Sequence, residues 1–200
     1  MIIGVSKPHF AKYTATNGAV SYSQGGVLGR MQSVDVTINT STDNDVYLDN
    51  ALAESERSFS DGTLTLAADT LSQAVSAAIL GITPAALEPI DGVTDSGVQE
   101  LNYDDNQAVP DLGVGFVIKQ QLRGVISWRA LVLPKIKFSV PADAATTQGK
   151  SIDWQIPQLS ATIMRDDTET HAWKREATFS TEGQAVAYIK HRLNIAEASA

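Results

Sequence analysis

No cysteine occurs in this 200-residue chain. That excludes disulfides, thiolate nucleophiles and cysteine-ligated zinc, and it leaves the redox compartment open. No apolar run approaches the roughly 20 residues needed to cross a bilayer, and the apolar part of the opening MIIGVSKPHF is too short for a signal peptide. Synthesis and folding in the cytoplasm are therefore expected. Histidine is scarce: His9, His171 and His191 are scattered, with no partner at the spacing of a metalloprotease helix, and each reads as structural. No Gly-x-Ser-x-Gly elbow is present, and Gly113-Val114-Gly115 runs into a strand rather than opening a helix around phosphate. Asp43-Asn44-Asp45, Asp104-Asp105 and Asp166-Asp167 lack the glycine and terminal glutamate of a calcium loop and read as solvated turns. No catalytic residue, cofactor or metal is assigned, and the chain is expected not to be an enzyme.

Basic charge is missing from a whole region. Between Arg57 and Lys119 there is no Lys or Arg, while Asp61, Asp69, Glu88, Asp91, Asp95, Glu100, Asp104, Asp105 and Asp111 fall there. Residues 1–118 carry 4 basic and 15 acidic side chains; residues 119–200 carry 11 and 8, within a net charge of −8. Such asymmetry serves solubility, or it predisposes copies to head-to-tail contact. A net acidic surface argues against tight binding of nucleic acid.

What is present is strand pattern, with 43% hydrophobic residues, enough for one domain over residues 1–200. The centre is Gly113 to Val140. Val114, Phe116, Ile118 and Leu122 alternate up to a tight reversal at Arg123-Gly124. Val125 to Leu133 is apolar on both faces, Pro134 is expected to end it, and Lys135 to Val140 reads as a separate half-buried strand. Upstream, Phe10 to Thr16 and Val20 to Tyr22 form a hairpin about Asn17-Gly18, with Gln24-Gly25-Gly26 breaking the pairing. Met31 to Thr40 is the cleanest alternation, with Val34, Val36 and Ile38 inward, and Gly62 to Ala68 is a further strand. A helix follows, capped by Thr70 and Gln73, with Leu71, Val75 and Ala78 on its apolar face, Ile79 beside it, and a stop at Gly81 and Pro84. Val98 to Tyr103 is one strand within an otherwise loop-like stretch. Ile152 to Met164 contains Pro157 and is expected at a sheet edge or bulge, and Ala172 to Phe179 is the last strand. A second helix spans Thr181 to Leu193, capped by Thr181 and Gln184, with cations Lys190, His191 and Arg192 at its C-terminal end. The class is α+β, mainly β: an antiparallel β-sandwich or barrel flanked by two helices. Ser41 to Ser58 is polar and acidic, and reads either as a surface loop or as an interaction arm.

Three stretches together resemble the major tail proteins, the tail-tube subunits of long-tailed phages of Gram-positive bacteria. They are YLDNALAESERSFSDGTLTLAADTLSQAVSAAILG (Tyr47 to Gly81), GVGFVIKQQLRGVISWRALVLPKIKFSVPADAATTQGKSIDWQIPQLSATIMRDD (Gly113 to Asp167) and WKREATFSTEGQAVAYI (Trp173 to Ile189). The resemblance implies the tail-tube fold and no catalysis. Subunits form hexameric rings stacked into a hollow tube, through which double-stranded DNA passes without specific binding. It also implies a place in the virion tail after assembly in the host cytoplasm, with tape measure, tail terminator and distal tail proteins as partners. The long early loop of that family falls by position on Ser41 to Ser58, making Asp43, Asp45, Tyr47, Leu48, Asp49, Glu54, Glu56 and Arg57 candidates for contact between rings. Trp154, Ile156 and Leu159, on the expected edge strand, are candidates for pairing between neighbouring subunits. The tube protein of a contractile tail or related injection machine shares these expectations. From a different class, a carbohydrate- or surface-binding β-sandwich would use Trp128, Trp154 and Trp173 as stacking platforms.

Overall fold

Alternating sequence becomes antiparallel sheet in the computed structural model, which describes residues 1–41, 44–48, 51–56, 58–69, 71–88, 90–92, 97–105, 107–142, 147 and 156–196, with backbone alone for 44–48 and 51–56. In order, the strands are β1 (Ile2–Thr16), β2 (Ala19–Val27), β3 (Met31–Thr40), β4 (Asn44–Leu48), β5 (Ala51–Glu56) and β6 (Phe59–Ala68). Helix α1 (Gln73–Leu80) follows, then β7 (Ala85–Ala86), β8 (Gln99–Glu100), β9 (Leu112–Leu122), β10 (Val125–Phe138), β11 (Gln158–Met164), β12 (Arg175–Phe179) and α2 (Glu182–Arg192). The main sheet runs β2-β1-β9-β10-β11-β6-β3, with β12 also paired to β10. Its curl brings β1 near β3 without a hydrogen-bonded ladder, so the barrel is not closed.

Both two-residue reversals form as their sequences require. Asn17 and Gly18 have φ of 51° and 78°, and Arg123 and Gly124 have 49° and 83°, the paired positive φ that matches the twist of a tight hairpin. The pairing of β1 and β2 does not stop at Gln24. It shifts register there, with Gln24 at positive φ, and resumes at Gly26 opposite Phe10.

Pro134 does not end its strand either. β10 continues to Phe138, with a register shift against β9 between Leu133 and Ile136. On its other side, β10 pairs with β12 at Trp128 to Val132 and with β11 at Lys135 to Phe138. Proline therefore sits where the partner changes and no ladder needs its missing N–H. Its carbonyl accepts the Tyr22 hydroxyl at 3.0 Å.

One core fills the curl, with Phe116, Leu64, Leu66, Leu112, Leu133 and Ile163 fully buried and Ile79 and Leu80 of α1 packed in. The second lies between the sheet and α2, where Val117, Ala130 and Val132 meet Ala185, Ile189 and Leu193. Each large side chain so buried contributes about 1.5–3 kcal/mol. α1 begins at Ser72, whose hydroxyl accepts the Val75 N–H, rather than at the expected Thr70, which lies outside the described residues. Its buried face is Ala77, Ile79 and Leu80; Ala78 is exposed, and Leu71 and Val75 are half-buried against the core. Gly81 ends it at φ 72°. Thr181 caps α2 by accepting the Gln184 N–H. The expected strand at Val98 to Tyr103 shrinks to the β7–β8 pair, and the last strand starts at Arg175 rather than Ala172.

Candidate functional site

The stretch expected as a loop at 41–58 contains a β-hairpin. β3 and β6 pair as far as Thr40 opposite Phe59, the Ser41 N–H reaches the Ser58 carbonyl at 2.9 Å, and Asn44 then pairs with Glu56. Among the described residues β4 and β5 pair with each other alone, so the arm continues the β3–β6 ladder as a two-stranded ribbon. A lone two-stranded ribbon is marginal in water, because it has no second layer against which to bury a face. Of the candidate contact residues, Asp45, Tyr47, Leu48, Glu54 and Glu56 lie on these strands; Asp43, Asp49 and Arg57 lie outside the described residues.

The expected edge strand is an interior one. β11 pairs with β10 on one side and β6 on the other, starts after Pro157, and buries Leu159 completely. Leu159 is therefore a core residue, Ile156 precedes the strand, and Trp154 lies outside the described residues. The proline that suggested an edge stands outside the ladder it was expected to interrupt. Among the described residues the margins of the main sheet are β2 and β3, and β12 is a further free margin beside β10. At one end of the sheet, β1 and the β9–β10 hairpin expose Met1, Ile2, Ile3, Leu122, Val125 and Ile126. Clustered apolar exposure of this kind marks surfaces that meet another molecule.

Neither described tryptophan is a free platform. Trp173 stacks on Phe59 with centroids 4.8 Å apart and planes 8° from parallel, whereas Trp128 packs into the cluster beneath α2, with Lys119 over its ring. The Asp166-Asp167 pair is likewise engaged. Buried Asp166 takes Arg175 at 3.3 Å and the Thr168 hydroxyl at 2.6 Å. Asp167 takes the Lys135 ammonium at 2.7 Å and the Tyr13 hydroxyl at 2.6 Å, and these two bonds hold its carboxyl below the usual range. Among the described residues, no three His, Asp or Glu side chains are gathered as they would be around a metal ion.

Compared with known proteins, this chain matches no family model and no curated protein.

An open groove of about 670 Å³ lies between β1, the end of β2 and α2. No periodicity or motif in the sequence signals it. A shift in the β1–β9 register between Ser6 and His9, with Lys7 at φ 57°, bends β1 away from regular pairing. The apolar part of the lining includes Val5, Val27, Met31 and Val186. Lys7, Arg30 and Lys190 supply positive charge, Arg30 pairing with Asp69, while Glu182 accepts the Ser6 hydroxyl at 2.8 Å. His9 is buried against it, with its Nδ1 2.8 Å from the Lys7 carbonyl. Burial above all, and then the Lys190 and Lys7 charges, push its pKa below 6.5, against the pull of the carbonyl. No helix among the described residues is long and apolar enough to cross a membrane.

Proposed function

We propose that this protein is a structural subunit that assembles with copies of itself into stacked hexameric rings, forming the tube of a phage tail through which double-stranded DNA leaves the capsid. The observation that carries the reading is the β4–β5 arm, which continues β3 and β6 beyond their own ladder and pairs with nothing else among the described residues. Its position coincides with the inter-ring loop implied by the resemblance. The free β12 margin and the apolar cluster from Met1 to Ile126 support it, since unpaired sheet margins and grouped exposed apolar side chains are liabilities that self-association removes. A net charge of −8 suits a conduit that must not retain DNA, because carboxylates repel phosphate. The subunit's role is architectural rather than catalytic. Its partners are its own copies, with tape measure, terminator and distal tail proteins at the ends of the tube.

Electron microscopy and sedimentation at rising concentration test this reading. Rings or tubes are expected from the full chain, and deletion of residues 42–57 is expected to leave a folded subunit that no longer stacks. A chain that sediments as a monomer at every concentration overturns the proposal.

A further inference from the structure

We propose that the groove between β1, β2 and α2 receives the acidic β4–β5 arm of a second copy of the chain. The inference rests on the assembly reading above and names the receiving surface.

Two observations carry it. The first is complementarity. Residues 41–58 contain Asp43, Asp45, Asp49, Glu54 and Glu56 against the single cation Arg57, with Val46, Tyr47, Leu48 and Leu52 among them. The groove offers the converse: Lys7, Arg30 and Lys190 beside Val27, Met31 and Val186, in a chain that is acidic as a whole. Opposite charges around an apolar centre select partner and register. Glu182, the carboxylate that lines the groove, already accepts the Ser6 hydroxyl, and Arg30 is paired with Asp69, which leaves Lys7 and Lys190 as the other cations of the lining.

The second observation is position. Arg30 and Met31 line the groove at the start of β3, whereas the arm departs from its far end beyond Thr40. Ten strand residues separate the two by roughly 30 Å at about 3.3 Å per residue. The arm starts where the β3–β6 ladder ends, at the opposite end of β3 from the groove of its own chain. It can enter the groove of a copy placed end to end with it, and that copy's arm is then free for the next. A surface at one end matched to a different surface at the other is a heterologous contact, which propagates along an axis. It therefore joins one ring to the next, leaving the margins within a ring to the sheets.

The absence of cysteine makes the test direct. Copies carrying Leu52→Cys are mixed with copies carrying Ala187→Cys, an exposed groove position, and oxidised at low concentration. A disulfide-linked dimer is expected, and it is not expected when Ala187→Cys is replaced by Asp35→Cys, at an exposed site on β3. Adding Lys7→Glu and Lys190→Glu to the groove copy should lower the yield about tenfold, and Glu54→Lys with Glu56→Lys on the arm copy should restore it. Circular dichroism of each variant confirms folding. Equal cross-linking at the control site overturns the docking, as does a yield indifferent to charge reversal. So does a groove that takes decanoate by NMR while no cross-link forms. Tubes without the cross-link refute the docking and leave the assembly reading standing; the cross-link without rings or tubes does the reverse.

Discussion

A Cβ placed on Gly115 would lie 2.6 Å from the Ile189 Cγ2, closer than any relaxed contact, so α2 rests directly on the bare backbone of β9. A Cβ on Gly113 would meet the Tyr22 ring at 2.5 Å and the Leu193 Cδ2 at 2.7 Å. These two glycines set how near the helix sits. The small side chains of Ala11, Ala130 and Ala185 complete the seat.

Gly115→Val is therefore expected to lift α2 and to cost about 1–3 kcal/mol by overpacking. Urea denaturation of the variant measures it. Unchanged stability would mean that the helix does not bear on β9.

The α1 cap offers a smaller test. Ser72→Ala removes the acceptor of the Val75 N–H and should cost about 1 kcal/mol, with Thr181→Ala costing about the same at α2. Midpoint shifts in the same denaturation curves report both.

His9 should make the protein weaker in mild acid. Its folded pKa lies below 6.5, so the neutral ring is the one the fold favours. That contribution is complete above the ordinary pKa and is lost as pH falls through the folded value. NMR titration should place the His9 midpoint below 6.5, with thermal stability declining as the ring gains its proton. A His9 midpoint at or above 6.5 contradicts this account.

Tyr22 acts on the alkaline side. Burial first, and then the Asp166 charge, push its phenol up to about 12, with Arg175 opposing. A raised phenol pKa contributes stability that is whole below the ordinary value of 10.0 and fades as pH rises through the folded one. Ultraviolet titration of tyrosinate should show late ionisation that loses one phenol in Tyr22→Phe and keeps that of Tyr13, which burial and its bond to Asp167 also raise, and the same variant leaves the Pro134 carbonyl without its hydroxyl donor.

The alternation of Val34, Val36 and Ile38, the reversals at Asn17-Gly18 and Arg123-Gly124, and the Thr181 cap were legible in the sequence, and all took their expected form. Each depends on forces acting across a few residues: pleat parity, positive φ in two-residue turns, and an orphan helical N–H. The acidic character of 41–58 was equally plain, but its hairpin was not, because that segment shows no sustained period of two. Leu159 shows the limit from the other direction. Pro157 argued for an edge, yet β11 begins one residue later and is flanked on both sides.

What the sequence determined alone was therefore local: mainly antiparallel strands, two helices and the cap of the second, an acidic first half and a chain without thiols. Tertiary structure decided which strands lie inside and which at the margins, that β10 passes through Pro134 by changing partner, and that a bulge at Lys7 meets α2 to open a basic groove. The reason is physical. Periodicity reports which side of a strand is dry, but the neighbour that dries it is chosen by long-range packing, and residues as far apart as Lys7 and Lys190 acquire a shared surface only when the sheet curls.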